Sequence, residues 1–248
     1  MFRSLLVLTA VLLPLRAMAD PITGLYFGGS AGLNIAEAMN SAGGTTRING
    51  GLGPSGLAAV GWSFGNGVRV ELEGSYRGSN VDGIATKRSN GSQEPLTNVS
   101  GGLSTEAVMS NVEYDIPWHS PVLPVQPYVG LGIGYAWLGG NGLSGDGVAT
   151  FPEPQNNSVT SSDVVSFGTG GAFAYQAIAG AALPVSAVQG LDVTFEYRFF
   201  GTARANVPVT RVSTDTVNGV VPSFVRQNGF EVHDNTLMLG LRYKFSGL

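Results

Sequence analysis

Eight segments of this chain place apolar residues at every second position, a pattern that strands produce and helices cannot. The sharpest runs over 68–77. There Val68, Val70, Leu72 and Tyr76 share one face, and Arg69, Glu71, Glu73, Ser75 and Arg77 share the other. In 191–199, Leu191, Val193, Phe195, Tyr197 and Phe199 alternate with Asp192, Thr194, Glu196 and Arg198. In 236–245, Leu237, Leu239, Leu241, Tyr243 and Phe245 alternate with Thr236, Met238, Gly240, Arg242 and Lys244. The segment at 128–137 sets Val129, Leu131, Ile133, Tyr135 and Trp137 against Tyr128 and small residues. Similar patterns cover 25–34, 56–64, 105–116 and 173–183.

The connections between these segments alternate in length. Gly65-Asn66-Gly67, 117–126 and 184–190 are short, whereas 35–54, 79–103, 139–170 and 203–233 are 20 to 32 residues long. Aromatic residues gather at both ends of the segments. Phe27, Trp62, Phe64, Tyr114, Tyr243 and Phe245 lie toward the short turns, and Tyr76, Tyr135, Trp137, Phe173, Tyr175 and Phe199 lie toward the long connections. Two aromatic bands around an apolar belt are what the two boundaries of a bilayer select. The reading is therefore an all-β chain, an eight-stranded antiparallel up-and-down transmembrane barrel. Short turns face the periplasm and long loops face outward.

The N-terminus fits export. Arg3 precedes an apolar run at 5–15, and Ala17-Met18-Ala19 precedes Asp20. That is the form of a secretory signal peptide over 1–19, with the barrel domain over 20–248. Pro14 and Arg16 interrupt the run, which is also shorter than the ~20 residues of a spanning helix. With no cysteine, thiolate metal sites, iron–sulfur clusters and Cys nucleophiles are excluded. A net charge of −4 gives nucleic acid no basic surface to bind.

Gly24-Leu25-Tyr26-Phe27-Gly28-Gly29, Gln126-Pro127-Tyr128-Val129-Gly130-Leu131-Gly132-Ile133-Gly134-Tyr135 and Phe195-Glu196-Tyr197-Arg198-Phe199-Phe200 resemble the eight-stranded outer-membrane β-barrel family. This group of Gram-negative, especially alphaproteobacterial, surface proteins is similar to the transmembrane half of OmpA. The resemblance spans essentially all of 20–248 and implies an integral protein of the cell outer membrane. It implies surrounding outer-membrane lipid and lipopolysaccharide, and periplasmic chaperones and the barrel assembly machinery during biogenesis. Tyr243 and Phe245 look like the terminal assembly signal, although Ser246-Gly247-Leu248 extends past it. No peptidoglycan-binding domain follows, so cell-wall anchoring does not carry over.

Chemistry concentrates on the face assigned to the lumen. Its charges are Arg69, Glu71, Glu73 and Arg77 on the third segment, and Glu113 and Asp115 on the fourth. Asp192, Glu196 and Arg198 lie on the seventh, with Arg242 and Lys244 on the eighth. In a ring of eight the third segment faces the seventh and the fourth faces the eighth. Ionic side chains can then meet across the interior, with Glu113 and Asp115 opposite Arg242 and Lys244. A barrel this narrow is filled by side chains or holds one small ligand. The expectation is a salt-bridged, mostly closed lumen and a structural, surface-interacting role, with a narrow pore for small solutes as the alternative.

No catalytic, cofactor or metal residues assemble. Gly28-Gly29-Ser30-Ala31-Gly32 fits a nucleophile elbow, but lies inside a strand where a strand-to-helix turn is required. Gly51-Leu52-Gly53-Pro54-Ser55-Gly56 fits a dinucleotide fingerprint, but precedes a strand instead of a helix. His119 and His233 fall at opposite ends of the barrel and cannot share a metal. His233 and Asp234 are adjacent on a strand, point to opposite faces and cannot form a relay.

Overall fold

The computed structural model describes residues 23–40, 46–87, 93–118, 124–150, 158–215 and 219–245. The proposed signal peptide, His119 and Ser246–Leu248 lie outside the described residues. In chain order the strands are β1 (Gly24–Ala36), β2 (Met39–Asn40), β3 (Thr46–Gly50), β4 (Leu52–Ser63) and β5 (Val68–Lys87). They continue with β6 (Gln93–Pro95), β7 (Thr97–Asp115), β8 (Gln126–Thr150), β9 (Ser158–Phe167) and β10 (Gly170–Pro184). The chain closes with β11 (Leu191–Thr202), β12 (Ala205–Asp215), β13 (Gly219–Phe230) and β14 (His233–Lys244).

Eight of these form a closed antiparallel ring in the order β1, β4, β5, β7, β8, β10, β11, β14 and back to β1. Closure leaves no unpaired edge around the ring, the condition for a sheet to sit in lipid. The seam between β1 and β14 pairs Tyr26 with Lys244 at one end and Ala36 with Asp234 at the other. Beyond it, the Phe245 N–H donates to the Leu25 carbonyl at 3.0 Å, and the Phe245 ring packs edge-on to Phe27 at 5.6 Å.

The turn joining β4 to β5 shows why its sequence is Gly-Asn-Gly. Gly65 and Gly67 hold φ of +76° and +89°, and the Asn66 side-chain oxygen accepts the Val68 N–H at 3.0 Å. Both glycines occupy backbone that side chains with a Cβ rarely adopt.

The burial pattern is inverted relative to a water-soluble barrel. Leu33, Leu72, Val112, Leu131, Ile133, Phe195, Leu239 and Leu241 are exposed on the outer surface. Arg69, Glu73, Arg77, Glu113 and Arg198 are buried inside. Phe27, Trp62, Phe64 and Tyr243 are exposed near the short-turn rim, and Tyr76, Tyr135, Trp137, Phe173 and Tyr175 near the other. Glycines beneath these outer rings let them lie flat: a Cβ on Gly171 would fall 2.3 Å from the Tyr135 hydroxyl.

The long connections differ from expectation. The stretches 35–54, 79–103, 139–170 and 203–233 are largely strand, not irregular loop. β5, β7 and β8 run far past the expected ends at Arg77, Thr105 and Trp137. β2 pairs with β3, and β3 and β6 extend the outer half of β5. β9 pairs with the outer half of β8 and with β12, which forms a hairpin with β13. Main-chain pairing continues well beyond the belt because a strand leaving a barrel already presents its hydrogen-bonding groups to the next one.

Candidate functional site

The interior is the site, and register builds its lower layer. Arg69 on β5 pairs with Glu113 on β7, and Asp192 on β11 with Arg242 on β14. Arg69 reaches Glu113 at 2.6 Å and Asp115 at 3.0 Å. Asp192 receives Arg242 at 2.9 Å and Lys244 at 3.1 Å. The expected meeting of Glu113 and Asp115 with Arg242 and Lys244 across the lumen is therefore corrected. Each group is neutralised by the adjacent strand, since cross-strand partners sit only ~5 Å apart at Cβ.

Tyr128 stands between the two ion-pair groups. Its ring centroid lies 4.9 Å from the Arg69 guanidinium and 5.4 Å from that of Arg242. Its hydroxyl donates to Glu196 at 2.5 Å. The ring can lie there because the facing residue is Gly180, where a Cβ would come within 2.4 Å of it. Tyr26 repeats the arrangement over Gly61 and donates to Glu71 at 3.3 Å.

The middle layer does cross the barrel. Arg198 on β11 bonds Glu73 on β5 at 2.5 Å, and also Glu196 on its own strand at 2.7 Å. Glu73 accepts further hydrogen bonds from Asn111 at 2.8 Å and Gln176 at 2.9 Å. Gln176 also donates to Asn111 at 2.7 Å and accepts from Arg77 at 3.3 Å. Asn111 donates to Glu71 at 3.0 Å. Such bonds offset the desolvation that a buried ion pair must otherwise overcome.

Above this lies a layer that charge counting overlooks. The Arg77 guanidinium sits 4.1 Å from the Phe200 ring centroid. Phe200 belongs to a buried apolar cluster with Met109, Ile48, Leu138, Val207 and Phe230. This cluster shares the upper interior with buried Thr105, Thr202 and Asp234. Parity could have found part of this, since Met109 shares the inward face with Glu113, and Asn111 lies between them on that face.

The histidine readings can be placed as far as His233. Its ring stacks on Phe199 at 6.1 Å on the outer surface and lies 3.4 Å from the Tyr175 hydroxyl. Asp234 points inward and is buried. Among the described residues, no cluster of three or more His, Asp or Glu is arranged to hold a metal. Ser30 lies within β1, and 52–56 lie within β4.

A family model described as outer membrane protein beta-barrel domain matches residues 4–245. The chain belongs to this outer-membrane β-barrel family. It is accordingly an integral protein of the outer membrane. An outer membrane protein of Gluconacetobacter diazotrophicus is 32% identical to this barrel, over 94% of this chain and 60% of the relative. The chain thus spans 60% of that relative's length. Among solved structures, the barrel is similar to the outer membrane protein OprG of Pseudomonas aeruginosa, with 14% identity and a TM-score of 0.46. That match covers 92% of this chain and 99% of OprG. A major outer membrane protein of Thermus thermophilus gives 16% identity and a TM-score of 0.48, over 89% of this chain and 99% of that one. Neisserial surface protein A gives 15% and 0.46, over 90% and 97%.

Proposed function

We propose that this outer-membrane barrel is a structural element of the envelope, closed to solute flow, that presents surface hairpins for contact. One observation carries the reading: the interior has two successive fillings of different chemistry. The Glu73–Arg198 pair and its amide partners span the middle of the lumen. Phe200, Met109, Ile48 and Phe230 form one buried apolar cluster that starts at the level of Glu73. An ion passing both would have to break buried charge pairs and also displace tightly packed apolar side chains.

The extension of β8 through β9 to β12 and β13 supports the contact role, because a continued sheet holds a recognition surface stiffer than a loop. We read the protein as non-catalytic, supported by the opposed directions of His233 and Asp234. The surrounding lipid and lipopolysaccharide, the barrel assembly machinery and the chaperones remain the proposed partners.

A narrow pore is the second reading, and a small chamber favours it. This space lies between the small-residue wall of Gly28, Ser30 and Ala59 and the charged groups of Arg69, Glu71 and Arg242. It offers about 20 Å³, roughly the room one water needs. Single-channel recording in planar bilayers separates the two readings. Inserted protein that stays electrically silent supports the closed barrel, and steady ohmic steps that scale with insertion overturn it.

A further inference from the structure

Two hydroxyl groups meet inside the barrel over a residue with no side chain. Ser30 on β1 and Thr194 on β11 both pair with Gly240 on β14, which lies between them. A Cβ on Gly240 would collide with the Ser30 hydroxyl and lie 2.8 Å from the Thr194 hydroxyl, so both oxygens lean over the same glycine. Thr194 is only 3% exposed, and its hydroxyl has no hydrogen-bond partner among the described residues. A hydroxyl buried so completely costs free energy unless something bonds to it. Both residues line the lumen chamber of about 20 Å³.

Glu71 on β5 edges the same chamber. Its carboxylate accepts hydrogen bonds from Tyr26 at 3.3 Å and Asn111 at 3.0 Å, and both donors are neutral. It makes no ion pair among the described residues. The arginines that reach the chamber are engaged elsewhere. Arg69 is held by Glu113 and Asp115, Arg198 by Glu73 and Glu196, and Arg242 by Asp192. The chamber therefore joins one unbalanced negative charge to two hydroxyl oxygens.

We propose that the chamber binds one sodium ion between the Glu71 carboxylate and the Ser30 and Thr194 hydroxyls. Hard cations take oxygen ligands, and all three groups offer them. One free carboxylate balances a single positive charge, whereas a divalent ion would leave an excess beside the three arginines. A water alone would bond the hydroxyls but leave the Glu71 charge unbalanced. A proton on Glu71 would remove the charge but leave the buried Thr194 hydroxyl without a partner. A monovalent cation meets both needs. Room for about one water favours sodium over the larger potassium.

Stability linkage tests the site. The parent barrel is unfolded with urea in sodium, potassium or choline chloride at equal ionic strength. Each tenfold rise in sodium above its dissociation constant should raise the folding equilibrium constant about tenfold, the linkage of one bound ion. Potassium should act more weakly, and choline, too large for the chamber, not at all. Glu71→Gln should be equally stable in sodium and choline, and Thr194→Val should lose most of the sodium response. Equilibrium dialysis against radioactive sodium, which involves no unfolding, should find one ion on each folded parent chain and none on Glu71→Gln. Equal parent stability in the three salts with no sodium retained overturns the proposal. So does a parent that ignores sodium but varies in stability with pH only while Glu71 is present, which would assign a proton to that carboxylate. Conduction enters neither readout, so this site and the closed lumen stand or fall separately.

Discussion

Glu73 and Arg198 sit on strands four places apart in a ring of eight, and their side chains meet at 2.5 Å in the middle of the lumen. Both are buried, and each has further polar partners. Removing Glu73 leaves Arg198 with Glu196 as its remaining anionic partner. Glu73→Gln should therefore lower unfolding stability by less than the ~3–5 kcal/mol of a fully orphaned buried charge. Glu73→Met with Arg198→Met should recover much of the loss. Urea titration followed by the heat-modifiable gel shift measures both, and a double variant as unstable as the single one would contradict the assignment.

The interior tyrosines make a packing prediction. A methyl group at Gly180 would fall 2.4 Å from the Tyr128 ring. Gly180→Ala should therefore displace that ring from Arg69 and Arg242 and cost about 1–3 kcal/mol as overpacking. Tyr128→Ala in the same chain should remove the clash, so the pair of changes should cost less than the two separate costs combined. Strict additivity in urea midpoints would show that the ring is not the obstacle.

Assembly gives a third. Phe245 is tied to β1 through the Leu25 carbonyl and packs against Phe27 and Tyr243. Phe245→Ala should reduce the folded fraction recovered in the outer membrane, whereas deleting 246–248 should matter less. Fractionation and heat-modifiability compare them, and equal losses would move the signal to the extension.

Orientation is the fourth. Asn206 is exposed on β12, beyond the barrel wall, and Asn66 is exposed in a short turn at the other rim. Asn206→Cys should react with an impermeant thiol reagent on intact cells, and Asn66→Cys should react only after the membrane is opened. The reverse pattern would invert the barrel.

The eight wall strands were legible because lipid imposes a strict rule on one face. Val68, Val70 and Leu72 must be apolar where Arg69, Glu71 and Glu73 need not be. Past the belt that rule lapses. In Ala205–Asp215 and Gly219–Phe230 both faces carry polar residues, and Pro208 and Pro222 interrupt the runs, so pairing there leaves little period-two signal. The lumen-facing charges were legible by parity, but their partners were not. Whether Glu113 meets Arg69 beside it or Arg242 across from it depends on register and on what stands between, here the Tyr128 ring. Phe200 was missed for a related reason: attention to charge passes over an inward aromatic next to outward Phe199.

The β1–β14 seam also constrains how the molecule is made. Its Asn34–Thr236 hydrogen bond joins residues 202 apart in sequence. Loop-closure entropy grows only with the logarithm of length, so about six doublings beyond a short hairpin loop cost only about 3.5 kcal/mol more. Eleven residue pairs along the seam can readily offset that. The difficulty is kinetic: if the wall assembles strand by strand, β1 and β14 remain open edges until every other pair is in place. The longest-lived intermediate would then be a nearly complete, curled sheet with two edges ready to pair with the wrong chain.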